Sequence, residues 1–474
     1  MKSRRIFSIL AACFIGITLL SACKNEIPMH YPPKEPLPDL PEVKDVHVFN
    51  APLYWSVYEY CYLRELAGES NIDISDAEWD EILNWVASDL KPAGYNMVCT
   101  DGFCAMLSTD ATGFMTQYGS MPLKDLVEKC KSRGLKLGVY DNPLWIHGSL
   151  ETKVPGTEYT FGSLLYNGTE TVRHEGVEDL NFKWIVVEHP GAREYIDAFF
   201  KHYHDLGVDF IRMDFMSWYE DGNDRNMGVV GRGYGRANYG RAMAYIAESA
   251  KKYGIFTSVV MPHLYDDAVV EKQYGNMFRV VADTGTGGWW HCSAQDRGKS
   301  YANWPNCMNM FDGYTYWSHL AGKGKVILDG DFIRLNTFNS DAEKEFVVSL
   351  QLMAGGPVAV ADQPWTIGEN DVRFYTNAEM LALNKDRFVG HPVSDKLGDQ
   401  NSNIWYGQMS DGSWVIGLFN RNEEATSVGV KFSDLGISGE WKMRDLWQHT
   451  DEGTSNAVVA NLEPHACKIV RLTK

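Results

Sequence analysis

The sequence predicts an α/β protein, a (β/α)8 TIM barrel followed by a C-terminal antiparallel β-sandwich, on three observations. Eight short runs rich in β-branched and aromatic residues alternate with amphipathic stretches, as strands covered by helices on both sheet faces must. Beyond residue 391 the pattern changes to short strands of alternating polarity separated by Gly, Asp and Asn, the mark of antiparallel hairpins. Acidic residues recur at the ends of the eight runs, where a parallel barrel gathers its chemistry.

The chain opens on a basic start, an apolar run from Ile6 to Leu20 and the small residues Ser21 and Ala22 before Cys23. This reads as a secretory signal and not as a membrane span. It is similar to the bacterial lipoprotein signal, so residues 1–22 are expected to be removed and Cys23 lipidated, placing an exported protein in the cell envelope. An ordinary cleaved signal with an incidental Cys is the alternative. Residues 23–46, rich in Pro and charge, read as a flexible tether.

The barrel is expected over residues 47–391. Its strands are "LYWSVYE" (53–59), "YNMVCTD" (95–101), "LKLGVYD" (135–141), "VDFIRMD" (208–214), "IFTSVV" (255–260), "FRVVA" (278–282), "KVILD" (325–329) and "PVAVAD" (357–362). Stretches such as "AREYIDAFFKHYHDLG" supply the helices between them. Residues 392–474 then hold "NIWYGQM", "SWVIGLFN", "TSVGVKF", "WKMRDLW" and "CKIVRLTK", the strands of the sandwich.

The formal net charge is −18, and loss of Lys2, Arg4 and Arg5 with the leader makes it more negative still. Such a protein repels nucleic acid and anionic membrane surfaces, so membrane contact is expected through the lipid anchor only. Among nine cysteines, Cys61, Cys104, Cys292 and Cys307 lie at expected loops or strand ends, where an exported chain can form disulfides. Cys99, Cys130 and Cys467 read as buried small residues. There is no Cys-x-x-Cys pair, His174 and Glu175 lack a second His at ligand spacing, and "GVVGRGYGRANYG" lacks the dinucleotide spacing. No metal and no cofactor is therefore expected, and the oligomeric state is left open.

Asp101, Asp141, Asp214, Asp329 and Asp362 each end a predicted barrel strand, and Asp283 follows another by one residue. A lone Asp at such a place is usually a turn or cap residue, but six together suggest an acidic mouth. Two carboxylates across a sugar are the minimum for hydrolysing a glycoside, one as acid and the other as nucleophile or base. The chain has 15 Trp and 24 Tyr. Most must serve core packing, but Trp55, Tyr140 and Tyr265 at strand ends are candidate faces for an uncharged oligosaccharide or polysaccharide.

"KPAGYNMVCTDGFC", "RGLKLGVYD", "LGVDFIRMDF", "FRVVAD" and "LALNKD" resemble, in order and spacing, motifs of the α-galactosidase (melibiase) family, glycoside hydrolase family 27 of clan D. The likeness spans roughly residues 50–400, and "MRDLW" is similar to the family's terminal domain. The resemblance implies a retaining exo-acting enzyme with Asp214 as nucleophile and Asp283, four residues after Arg279, as acid/base. It also implies substrate contacts from Asp101, from Arg212 where Lys is usual, and from Arg279 and Asp331, and a disulfide between Cys61 and Cys104. α-Galactoside is the default substrate. One departure matters: the family's galactose binders close strand two with two acids, whereas this chain has Asp101-Gly102. His263 is a candidate replacement contact, and a non-galactose glycoside such as an α-glucan is the alternative substrate. A binding protein that has lost catalysis is the alternative from outside enzymes.

Overall fold

Each of the eight apolar runs forms a parallel strand in the computed structural model, which describes residues 36–70, 72–165, 182–224, 228–294 and 309–474. They are β1 (Leu53–Ser56), β2 (Met97–Cys99), β3 (Lys136–Tyr140), β4 (Val208–Met213), β5 (Phe256–Val259), β6 (Met277–Arg279), β7 (Ile327–Asp329) and β8 (Val358–Val360). Neighbours pair in order, β8 returns to β1, and Ile333 just past β7 bridges Val360 and closes the barrel.

The period of two decides which side chain goes where. Tyr54, Met97, Cys99, Phe210, Phe256 and Met277 fill the barrel interior. Their neighbours Trp55, Val98, Ile211 and Phe278 point outward into the larger core against the helices. That layer includes α1 (Tyr58–Leu66), α2 (Asp76–Trp85), α3 (Leu123–Ser132), α4 (Ala192–Leu206), α5 (Met216–Asp221), α6 (Arg236–Tyr253), α7 (Gly288–Cys292) and α8 (Asp341–Met353). α2 starts at a reciprocal capping box between Ser75 and Glu78, which satisfies two backbone donors that the helix start would leave open. α4 buries Tyr195, Ile196, Phe199, Phe200 and Tyr203 as one stripe and stops at Gly207, whose φ of 89° suits only glycine.

The C-terminal unit has eight strands: β9 (His391–Pro392), β10 (Ile404–Gln408), β11 (Trp414–Phe419), β12 (Thr426–Lys431), β13 (Trp441–Asp445), β14 (Thr450–Ser455), β15 (Ala457–Leu462) and β16 (Cys467–Thr473). A six-stranded antiparallel sheet runs β9-β10-β11-β16-β13-β14, and β12 pairs with β15. Alternation again sorts the residues. Ile404, Ile416, Leu418 and Val470 face the sandwich core, whereas Trp405, Val415, Phe419 and Ile469 join the barrel's core.

Two expectations change here. The Pro-rich stretch expected to be a free tether up to residue 46 is held from Leu37 onward. Leu37, Leu40 and Val43, three residues apart, pack against the core, and the Pro41 carbonyl accepts from the Tyr274 hydroxyl at 2.7 Å. Trp55, expected to face a sugar, is fully buried among the helices and donates its indole N–H to the Asp362 carbonyl at 2.8 Å. It stands one residue out of phase with the inward-facing Tyr54. No helix among the described residues is long and apolar enough to cross a membrane, and Cys23 and Cys307 lie outside those residues.

Candidate active site

Phe210 and Arg212 face into the barrel, and two residues further on Asp214 continues that register at the mouth, where it is half-buried. Its carboxylate is fixed at both oxygens. The Phe215 N–H donates to Oδ1 at 2.7 Å and the Tyr140 hydroxyl to Oδ2 at 3.0 Å. Asn142 holds the Asp214 backbone carbonyl at 2.8 Å, and Phe215 takes up the left-handed φ of 60° needed to turn its own N–H onto the carboxylate. Burial first, and then the negative charge of Asp283, push the Asp214 carboxyl above the usual carboxylate range.

Asp283 stands on the same rim two strands along, its side chain 52% exposed and paired with the guanidinium of the buried Arg279. The two predicted catalytic acids thus share one mouth in different settings, one clamped and half-buried, one exposed on an arginine. Beneath them Arg212 and Arg279 both bond Oδ1 of Asp331 at 2.8 Å, while Thr284 donates its N–H and its hydroxyl to Oδ2 at 2.7 and 2.8 Å. Arg212 also pairs with Asp329 at 3.2 Å and lies over the Phe332 ring at 4.6 Å. Although burial pushes the Asp331 carboxyl up, Arg279 and Arg212 hold it below the usual range.

This network revises several expectations. Asp331 was expected to bind a sugar hydroxyl, but it is buried and both its oxygens are committed to protein donors. Arg212, 2% exposed, is likewise a floor beneath the site. Tyr265 is buried, donates to Asp221 at 2.8 Å and stacks on His263 at 4.8 Å. His263 is wholly buried and meets Asp221 at 2.9 Å. Despite burial, His263, Asn223 and Tyr265 keep Asp221 well below the usual range. Nor do all six strand-end carboxylates converge. Asp141 faces outward, to Tyr203 of α4 and to His147. Asp362 receives the Leu335 and Asn336 N–H groups and the Tyr375 hydroxyl. Cys61 and Cys104 are buried with their sulfurs 3.8 Å apart, as two thiols in contact, and Cys292 is buried.

Asp101 does turn inward, two residues beyond Cys99, and burial pushes its carboxyl up to about 7, against the opposing pull of Arg212. Gly102 beside it has a steric explanation. A Cβ there would lie 2.7 Å from Cζ of Tyr140, the ring that holds Asp214. Sequence reasoning missed Asn142, Thr284 and Tyr58. Tyr58 was findable, since it continues the inward register of Tyr54 past the end of β1, and its hydroxyl accepts the Gly285 N–H at 3.0 Å.

Residues 399–472 match the family of α-galactosidase C-terminal β-sandwich domains. The chain is 38% identical over 440 residues to the isomalto-dextranase of Arthrobacter globiformis, covering 89% of this chain and 67% of that protein. It is 23% identical over 395 residues to the α-galactosidase of Cyamopsis tetragonoloba, covering 82% and 79%. Among solved structures, the Arthrobacter globiformis T6 isomalto-dextranase complexed with panose superposes with a TM-score of 0.82 at 35% identity, over 92% of this chain and 75% of that one. A family 27 β-L-arabinopyranosidase from Geobacillus stearothermophilus in complex with arabinose gives a TM-score of 0.69 at 19% identity, over 90% and 98%, a likeness of fold alone.

Proposed function

Because the chain belongs to the α-galactosidase family, glycoside hydrolase family 27, and is thus a glycoside hydrolase, we propose that it is a retaining, exo-acting enzyme that cleaves α-glucosidic linkages of a dextran-like α-glucan. Asp214 attacks the anomeric carbon as Asp283 protonates the departing oxygen, breaking the glycosidic bond and leaving a sugar ester on Asp214. Asp283, now a carboxylate, takes a proton from water. That water attacks the same carbon, the ester bond breaks, and the Asp214 carboxylate is restored. Two displacements at one carbon keep its configuration.

The placement of the two acids supports these roles. Two hydrogen bonds aim Asp214, while Asp283 is exposed where an incoming chain can receive its proton. The leader-like segment ending at Cys23 supports export and a lipid-anchored place in the cell envelope.

One observation carries the substrate reading: Tyr140 lies where a side chain on residue 102 would have to stand. A galactose site of the family type needs a second acid there for the axial hydroxyl, and a site built to bond a hydroxyl discriminates strongly. Without that acid the galactose contact is missing, in keeping with the likeness to an isomalto-dextranase. The test is a panel of α-1,6-glucan, aryl α-glycosides of one and two glucose units, and aryl α-galactoside, with the first-formed anomer followed by NMR. Glucan and glucosides should be preferred by about a hundredfold or more, with the α-anomer appearing first. Strict α-galactosidase activity would overturn the substrate, and a first-formed β-anomer the mechanism.

A further inference from the structure

Two tryptophans among the described residues remain about half exposed, Trp290 at 48% and Trp365 at 47%. Water contact over half an indole forgoes much of the stabilisation that burial gives so large an apolar group. Both stand on the barrel's C-terminal face. Trp290 lies in α7, seven residues after Asp283, and Trp365 lies in the loop after β8, with Tyr60 of α1 edge-on at 6.1 Å.

One buried carboxylate ties the segments after β7 and β8 together, and through Arg334 reaches the segment after β6. Glu59 is wholly buried and accepts from Arg334 at 2.9 Å and Asn336 at 2.7 Å, both beyond β7, and from Thr366 at 2.6 Å, the residue after Trp365. Arg334 also donates to the Gly285 carbonyl at 2.7 Å, which fixes the loop holding Asp283. The start of α7 lies close on the β7 loop, since a Cβ at Gly287 would be 2.6 Å from the Thr337 hydroxyl oxygen. Thus Gly285 and Gly287 after β6, the segments after β7 and β8, and the start of α1 after β1 join in one arc of the rim. β4, which carries Asp214, lies across the barrel from β8.

Resting on the proposed hydrolysis, we infer that Trp290 and Trp365 are stacking platforms for the leaving part of the glucan chain, beyond the bond that is cut. The acid must reach the departing oxygen, so the leaving chain runs out on the side of Asp283, and that side carries both exposed indoles. The apolar C–H faces of neutral glucose rings suit an indole face, and the fixed loops offer it with little ordering cost. The contact acts only on substrates long enough to reach it.

The test compares Trp290→Ala and Trp365→Ala with wild type on long α-1,6-glucan and on an aryl α-glycoside of the same sugar. Each alanine should lower kcat/KM on the long chain about tenfold more than on the aryl glycoside, mainly through KM, the loss expected for an aromatic binding anchor. Trp290→Tyr and Trp365→Tyr should recover most of it, because the flat ring remains. Equal losses on both substrates, or no loss on the long chain, would overturn the inference. If wild type hydrolyses no α-glucan, the substrate reading fails, and the platform is judged by the same comparison on the polymer it does hydrolyse.

Discussion

Asp101 is a carboxyl whose ionisation the barrel resists, because burial outweighs the attraction of Arg212 and brings it up to about 7. The folded state therefore holds this proton more tightly than the unfolded chain. Its contribution to stability is fully present below the usual carboxylate range and is lost as pH rises to about 7. An amide at this position stays neutral. Asp101→Asn should gain stability relative to wild type by about 1 kcal/mol per pH unit between about pH 4 and 7, then level off, as read by denaturant unfolding at several pH values. A gap that does not change with pH would contradict this. At this scale the two acids proposed to react could be singled out in the sequence, because motif order points to Asp214 and to Asp283 beside Arg279. The commitment of Asp331 was not, since its four donors come from Arg212, Arg279 and Thr284, scattered along the chain.

Strands and loops were read well where a run of apolar residues marks them, and poorly where one residue of phase decides the outcome. Trp55, Asp141 and Asp362 follow inward-facing Tyr54, Tyr140 and Ala361 by a single position, and each side chain turns to the helix side instead. A strand end read from sequence carries an uncertainty of that size, and the period of two converts it into the wrong face. The contact between the loop after β2 and the end of β3 is the element-level feature that shapes the site. Gly102→Ala places a methyl against a Tyr140 ring that is itself buried and bonded to Asp214. The ring must move, and the aim of Asp214 with it, so kcat should fall about tenfold or more while the unfolding midpoint shifts little. Tyr140→Phe should cost kcat without any clash. Full activity in Gly102→Ala would show that the ring yields freely.

Across the whole molecule, one sheet serves two cores. Trp405 and Phe419 pack toward the barrel while Ile404 and Leu418 pack into the sandwich. Arg421 fastens the same face, donating to Ser293 at 2.7 Å and Asp312 at 2.7 Å and lying over Phe311 at 4.4 Å. The sandwich thus packs against the end of α7, the element that follows Asp283. The change of pattern past residue 391 made two units legible, but not that they share a core, because both faces of a sheet read alike in an alternating sequence. The proposed hydrolysis turns on a sugar ester on Asp214. Its most direct test is to trap that ester with a slow fluorinated α-glucosyl fluoride and to locate the label by peptide mass spectrometry. A single added glycosyl group is expected on the peptide holding Asp214 and none in Asp214→Asn, whereas a label on Asp283, or turnover by Asp214→Asn at the wild-type rate, would rule the ester out.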